Sequence, residues 1–199
     1  MKNPKNIFII NAHQYYPGSP GKLNESLVEF ARDLFQKNHW NVEITAIEGG
    51  YSPELEADKH EWADLIITQT PVYWFGGPWI YKKYIDEVFG VIIRRQNLAI
   101  SDGRSRNHAQ QYGTGGLPHG KQFLLSTTWN APAAAFDDSD QFLLSGKSLD
   151  EAMVSMTTVY KFCGFEILKN FGCFDVKKNP RIEDDFQRYQ QRLLEIINL

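Results

Sequence analysis

The sequence predicts an α/β fold, a doubly wound, five-stranded parallel sheet with helices on both faces. Two observations lead there. Strand-like runs alternate with helix-like runs from one end of the chain to the other. The strand-like runs are short and apolar, "NIFIIN" and "DLIITQ" among them, as strands covered on both faces are. With 199 residues and no internal repeat, the chain reads as one domain, 1–199. A chain of that length buries roughly 70% of its unfolded surface, so it needs no disulfide or metal staple.

Taken in order, residues 6–11 form the first strand. After the loop 12–22, Leu23, Leu27, Phe30, Leu34 and Phe35 fall at helical spacing. "NVEITAI" (41–47) is the second strand and "DLIITQ" (64–69) the third. Gly76 and Gly77 suit a tight turn after it, and Pro78 suits the first turn of a helix. Tyr81, Ile85, Val88 and Phe89 keep one face of that helix. "QFLLSTT" (122–128) is the fourth strand. Ser148 with Glu151 makes a capping box for a helix carrying Met153, Met156, Val159 and Tyr160, which Gly164 stops. "FEILKNF" (165–171) is the fifth strand, and Ile182, Phe186, Tyr189, Leu193 and Ile197 mark a final helix. Five strands in this order fit a flavodoxin-like fold. The long irregular piece, about 93–121, is an insertion before the fourth strand, and loops of that length are usually functional or disordered.

Composition narrows the function. A net charge of −3 argues against a general nucleic-acid binder and is mild for an acidic electron carrier. Cys163 and Cys173 make neither a disulfide framework nor a zinc pattern, and read as core thiols. No segment reaches the roughly 20 apolar residues of a membrane span, and the N-terminal apolar run is too short for a signal peptide. The expectation is a cytoplasmic protein.

Ligands of a doubly wound sheet bind outside the carboxyl ends of the strands. Three loops lie there. The first, "AHQYYPGSPGKLNES", feeds a helix N-terminus, where free N–H groups and the helix dipole favour a phosphate. It lacks G-x-G-x-x-G, and it equally suits an ordinary turn with Asn24 as the helix N-cap. The second, "QTPVYWFGGPW", places Tyr73, Trp74, Phe75 and Trp79 just after a buried strand. It reads either as a hydrophobic loop packed on the core or a second subunit, or as a flat shelf for a planar ring such as a flavin. The third, "TTWNAPAAAF", adds Thr128, Trp129 and Asn130.

Within the insertion, Gly115 to Lys121 resembles a Walker A loop. Gln122 stands where Ser or Thr would hold magnesium, and a strand follows rather than a helix, so that reading fails. A mobile glycine loop edging a site, with Tyr112 free to stack, fits better. Arg94, Arg95, Arg104 and Arg106 can meet a diphosphate or simply be solvated. His13 and His119 stand in site loops. Hydrolase and metal signatures are missing, so a cofactor is expected to carry the chemistry.

The segments "PGSPGKLNES", "QTPVYWFGGPWIYKKYIDEVF", "SDGRSR", "QYGTGGL" and "TTWNAP", in this order, resemble the flavodoxin-like NAD(P)H:quinone oxidoreductase family over nearly the whole chain. Within that family they look like the bacterial modulator-of-drug-activity-B type. The resemblance implies a homodimer holding FAD, reduced by NADPH and reoxidised by a quinone or another planar aromatic acceptor. Ser19, Pro20, Gly21, Lys22, Leu23, Asn24, Glu25 and Ser26 would hold the phosphates. Val72, Tyr73, Trp74 and Phe75 would line the flavin ring, Val72 through its main chain. Tyr112 would reach it from the glycine loop, and Thr128, Trp129, Asn130 and Ala131 would meet its other side. Related branches carry a glycine pair where this chain has Trp129 and Asn130, and some use a Tyr and a His there, so no catalytic residue is transferred. One pocket serving both substrates implies ping-pong kinetics. The alternatives are an FMN-dependent azo- or nitroreductase, a flavodoxin-type electron carrier and a flavin-free interaction protein.

Overall fold

A computed structural model describes residues 5–105 and 108–198. Arg106, one of the four arginines considered for a diphosphate, lies outside the described residues. The elements are β1 (Asn6–Asn11), α1 (Lys22–Lys37), β2 (Asn41–Ala46), α2 (Pro53–Trp62), β3 (Leu65–Pro71), α3 (Trp79–Arg95), β4 (Gln122–Thr128), α4 (Leu149–Ala152), α5 (Val154–Phe162), β5 (Glu166–Ile167), β6 (Phe171–Cys173) and α6 (Ile182–Ile197). The sheet is parallel in the order β2-β1-β3-β4-β5, with β6 also paired to β4.

Alternation along the strands sends side chains to two cores. Ile7, Ile9, Leu65, Ile67 and Leu124 pack under α1 and α6, against Leu27, Phe35 and Leu193. Phe8, Ile10, Ile66, Phe123 and Leu125 face the other side, against Tyr84, Val88 and Tyr160 of α3 and α5. Continuous apolar strands are what this double burial requires.

Three elements differ from the sequence reading. The interval between β2 and β3 holds α2, which has no apolar stripe to announce it. Its buried residues are Glu56, Ala57 and His60. The Glu56 carboxylate is satisfied instead by the Tyr84 hydroxyl at 2.8 Å, Thr45 Oγ1 at 2.9 Å and Lys59 Nζ at 2.8 Å. The expected fifth strand, 165–171, is two short strands. β5 pairs with the start of β4 and β6 with its end, so the edge position is split around residues 168–170. The capping box at Ser148 and Glu151 is present in both directions, but the helix it opens breaks at Met153 into α4 and α5.

The described part of the insertion is folded. α3 runs on to Arg95, and the two arms that follow pair with each other, with Ile100 N–H donating to Gly115 C=O at 3.0 Å and Leu117 N–H to Leu98 C=O at 2.8 Å. A Cβ on Gly115 would lie 1.9 Å from Ser101 O, and one on Gly116 2.4 Å from Gly164 N. These glycines therefore permit close backbone packing rather than leaving a loop free. Among the described residues no helix is long and apolar enough to cross a membrane, and no group of three His, Cys, Asp or Glu is placed to hold a metal. Both cysteines are buried free thiols.

Candidate functional site

All three loops emerge at the carboxyl edge of β1, β3 and β4. Loop one enters α1 through Gly21, the N-cap, whose φ of +85° is left-handed. A Cβ there would sit 2.4 Å from Cε1 of His13, so Gly21 is required by backbone angle and by the ring lying against it. His13 in turn shares a hydrogen bond of 2.9 Å between Nε2 and Ser19 O. Among the described residues no side chain caps α1. Its first-turn N–H groups are thus left without a side-chain cap, and a free helix N-terminus favours an anion.

Asn24 is not the N-cap. It lies in the first turn, buried, and its side chain ties the site together. Gln69 Nε2 at the end of β3 donates to Asn24 Oδ1 at 2.8 Å, and Asn24 Nδ2 donates to Thr128 Oγ1 at 3.2 Å. Loops one and three are thereby fixed to the end of β3. Gln69 and Thr128 are both buried, and Gln69 Oε1 has no partner among the described residues. Gln69 escaped the sequence reading. Its signal was an amide inside an apolar strand, a position that demands a partner.

Loop two is a two-residue turn closed by Tyr73 N–H to Gly76 C=O at 2.8 Å and Gly76 N–H to Tyr73 C=O at 3.2 Å. Its central residues are Trp74 (φ +50°) and Phe75 (φ +67°). The residues in the left-handed region are the aromatics, while Gly76, expected to help the chain turn, closes the turn against Tyr73. Such angles suit Asn and Gly and strain bulky side chains by about 1 kcal/mol or more each. Trp74 is 94% exposed and Phe75 54%, so neither is core. Tyr73 differs from them. Its hydroxyl donates to Ser19 Oγ at 2.7 Å or to Gln14 O at 3.1 Å, clamping loop two onto the phosphate-type loop, and burial raises its pKa.

The remaining expected residues divide. Val72 N–H is spent on Thr128 C=O at 3.0 Å, and its side chain is half-buried against the core on the α3 and α5 side. The Trp129 ring is buried against Phe136, with its Nε1 donating to Thr127 Oγ1 at 2.9 Å, so it offers a ligand no broad face. Ala131 C=O accepts from Asp175 N–H at 2.9 Å, while Asn130 is exposed. Lys22, Glu25 and Ser26 are exposed at the start of α1; Ser19, Gly21 and Leu23 are half-buried. Tyr112 is 72% exposed and touches Phe162. Of the arginines, Arg94 pairs with Glu54, and Arg95 with Glu54, Asp58 and Glu61, so both are engaged along α2. His119 is structural. Its Nε2 donates to Cys163 O at 2.9 Å, its Nδ1 accepts from Lys121 N–H at 3.1 Å, and burial lowers its pKa.

A phosphate-receptive helix end, exposed flat aromatics beside it and an unpartnered buried carbonyl on Gln69 make a site whose residues fit a flavin nucleotide. The family model for the flavodoxin-like fold called Flavodoxin_2 matches residues 5–197. The chain belongs to this family. Within it, the chain is 39% identical over 189 residues to the NADPH:quinone oxidoreductase MdaB of Haemophilus influenzae, covering 94% of this chain and 97% of that one. It therefore belongs with the flavodoxin-like quinone oxidoreductases, as the motifs implied. An uncharacterised Schizosaccharomyces pombe protein is 38% identical over 192 residues, 96% of each chain. Among solved structures, an NAD(P)H:quinone oxidoreductase from Methanothermobacter marburgensis has a TM-score of 0.65 at 11% identity, over 97% of this chain and 96% of that one. At that identity the likeness establishes the fold alone.

Proposed function

We propose that this protein is an FAD-dependent NADPH:quinone oxidoreductase that reduces quinones by two electrons, acts as a homodimer and works in the cytoplasm. The observation that carries the reading is the juxtaposition of an uncapped α1 N-terminus with the strained, exposed Trp74–Phe75 turn, in a chain 39% identical to MdaB. When bound, a flavin would supply the two-electron redox chemistry between NADPH and the quinone. The chain's own residues bind and orient. First-turn N–H groups of α1 meet the phosphates, with Ser19 beside them. Tyr73, held to Ser19 and Gln14, fixes the angle between shelf and phosphate loop. Trp74 and Phe75 present flat area, and Tyr112 approaches from the insertion. Thr128 acts through Asn24 and Gln69 to keep the loops in register.

A visible spectrum of the purified protein tests this directly. Flavin bands are expected, anaerobic NADPH should bleach them with no second protein present, and menadione should restore them. A colourless protein that gains no absorbance with FAD would overturn the reading. Donor and acceptor sharing one pocket should give parallel initial-velocity lines; intersecting lines would sink the shared pocket.

A further inference from the structure

A row of tyrosines runs from loop two through the core to the surface, and none of them belongs to the proposed flavin site. Tyr81, in the first turn of α3, lies against the backbone of loop two, where a Cβ on Gly77 would sit 3.1 Å from Tyr81 Cδ1. Tyr84, three residues on and so on the same helix face, stacks on Tyr81 with ring centroids 6.4 Å apart and planes 12° from parallel. Tyr51, from the segment between β2 and α2, meets Tyr84 edge-on at 4.9 Å. Tyr81 and Tyr84 are buried, and Tyr51 is half-buried.

Packing accounts for the ring contacts but not for what the hydroxyls touch. Tyr84 donates to Glu56 Oε2 at 2.8 Å, and Glu56 is 2% exposed. A buried carboxylate is costly, and a phenylalanine would fill the ring's space without needing one. Tyr51 repeats the pattern, its hydroxyl donating to Glu87 Oε2 at 2.7 Å. Burial first, and the carboxylates beside them second, raise the pKa of both phenols, so neither ionises at neutral pH. An oxidised phenol is the opposite, a strong acid. It becomes a stable neutral radical when a base stands within hydrogen-bond reach to take its proton. Glu56 and Glu87 are such bases at successive tyrosines. Tyr81 has none, only Thr68 Oγ1 at 3.5 Å, so an electron vacancy that reaches it passes on.

We propose that Tyr81, Tyr84 and Tyr51 form an electron-transfer chain that drains one-electron oxidising equivalents from the loop-two shelf to the surface at Glu87. The oxidant is an oxygen radical of the class that a reduced redox centre forms with dioxygen, and it gains one electron from Tyr81. Tyr84 refills Tyr81 and hands its proton to Glu56. Tyr51 refills Tyr84, which recovers that proton, and the Tyr51 proton passes to Glu87. The net change is one electron from Tyr51 and one proton on Glu87, which a small surface reductant such as a thiol reverses by returning a hydrogen atom. The inference rests on the flavin reading only for the source of the oxidant, and the test supplies its own. Trp74, 94% exposed, is replaced by Cys and labelled with a ruthenium tris-bipyridine maleimide; the native cysteines are buried. Flash-quenching the full-length labelled protein oxidises the label at the shelf, with unlabelled protein as the blank. A nitroso spin trap and peptide mass spectrometry then locate the radical. Trapping at Tyr51 is expected. Tyr84→Phe should reduce it to the blank, and Glu56→Gln, which keeps the volume and removes the base, should slow its appearance about a hundredfold. Tyr189→Phe, in the opposite core, should leave it unchanged. No radical at Tyr51 in the parent, or a Tyr51 yield indifferent to Tyr84→Phe at matched melting temperature, overturns the chain, as does an equal loss in Tyr189→Phe. Should Tyr84→Phe fail to fold, Tyr51→Phe decides: the radical should persist on Tyr84 longer than in the parent, and equal lifetimes overturn the proposal. A colourless protein with Tyr84-dependent trapping at Tyr51 refutes the flavin reading and leaves the chain standing; a yellow protein without it does the reverse.

Discussion

At the residue scale, Asn24 and the Trp74–Phe75 pair carry opposite lessons. Asn24 looked like a cap because it stands near the start of a helix, and caps are a local rule. Its actual partners, Gln69 and Thr128, come from β3 and β4, and no local rule reaches them. Replacing Asn24 by Ala leaves Gln69 Nε2 without its acceptor and Thr128 without its donor. A loss of about 1–3 kcal/mol in urea unfolding is expected, together with weaker flavin binding. An unchanged unfolding midpoint would refute that role. Trp74 is the reverse case, since its side chain contributes almost no burial while its backbone is strained. Asn tolerates the left-handed region and favours this turn position. Trp74→Asn should therefore raise stability by about 1 kcal/mol and yet weaken flavin binding. If flavin affinity is untouched, the shelf role of Trp74 fails. Gly21→Ala should do harm on both counts, because an added methyl group meets the His13 ring at 2.4 Å and the angle is left-handed. Its melting temperature and its flavin affinity should both fall.

At the element scale, the readable pieces were those whose apolar spacing matches burial. α1, α3, α6 and the first four strands were legible for that reason. α2 was not, because its inward face is Glu56 and His60, and polar residues facing a core follow no hydrophobic period. The split of the edge strand into β5 and β6 depends on pairing with two ends of β4, which the run "FEILKNF" does not encode. The same inward polarity makes α2 pH-sensitive. His60 is fully buried, and desolvation lowers its pKa to about 4, against the opposing pull of Glu56. Its Nδ1 donates to Glu56 O at 2.8 Å, and the ring stacks on Tyr160. The folded state thus holds this histidine neutral. Above pH 6.5 neither state binds the proton and the contribution is complete. As pH falls from 6.5 toward 4, the unfolded chain takes up a proton that the folded chain refuses, and stability drops by about 3 kcal/mol over that range. His60→Gln removes the titrating group. Its stability at pH 7 should be lower, and its decline between pH 7 and 4 shallower by that amount. Equal slopes in parent and variant would show that His60 does not control the acid limb.

At the scale of the whole molecule, the doubly wound sheet explains why chemistry-bearing residues from positions 19, 74 and 128 converge at one edge, and why three loops could be selected from the sequence before any geometry was known. It does not explain how much apolar surface that edge leaves bare. Trp74 is 94% exposed and Phe142 97%, with Trp79 at 61% and Leu143 at 62%. A groove of about 350 Å³ lined by Phe75, Leu143, Leu144 and Met153 connects the loop-two turn to the segment carrying Phe142. Phe75 and Leu143, both exposed, share that groove, and Trp74 and Phe142 are their neighbours in sequence. Contiguous apolar surface of this kind marks association or ligand binding. We propose that this apolar strip is covered by a second copy of the chain, the partner of the homodimer proposed above. Sedimentation equilibrium of the parent protein should give a dimer mass. The double variant Phe142→Asp, Leu143→Asp places two carboxylates in the strip without touching the sheet cores. It should sediment as a monomer and unfold as cooperatively as the parent. A parent protein that stays monomeric at all concentrations would remove the dimer. A double variant that stays dimeric would place the interface elsewhere, leaving the strip to the acceptor alone.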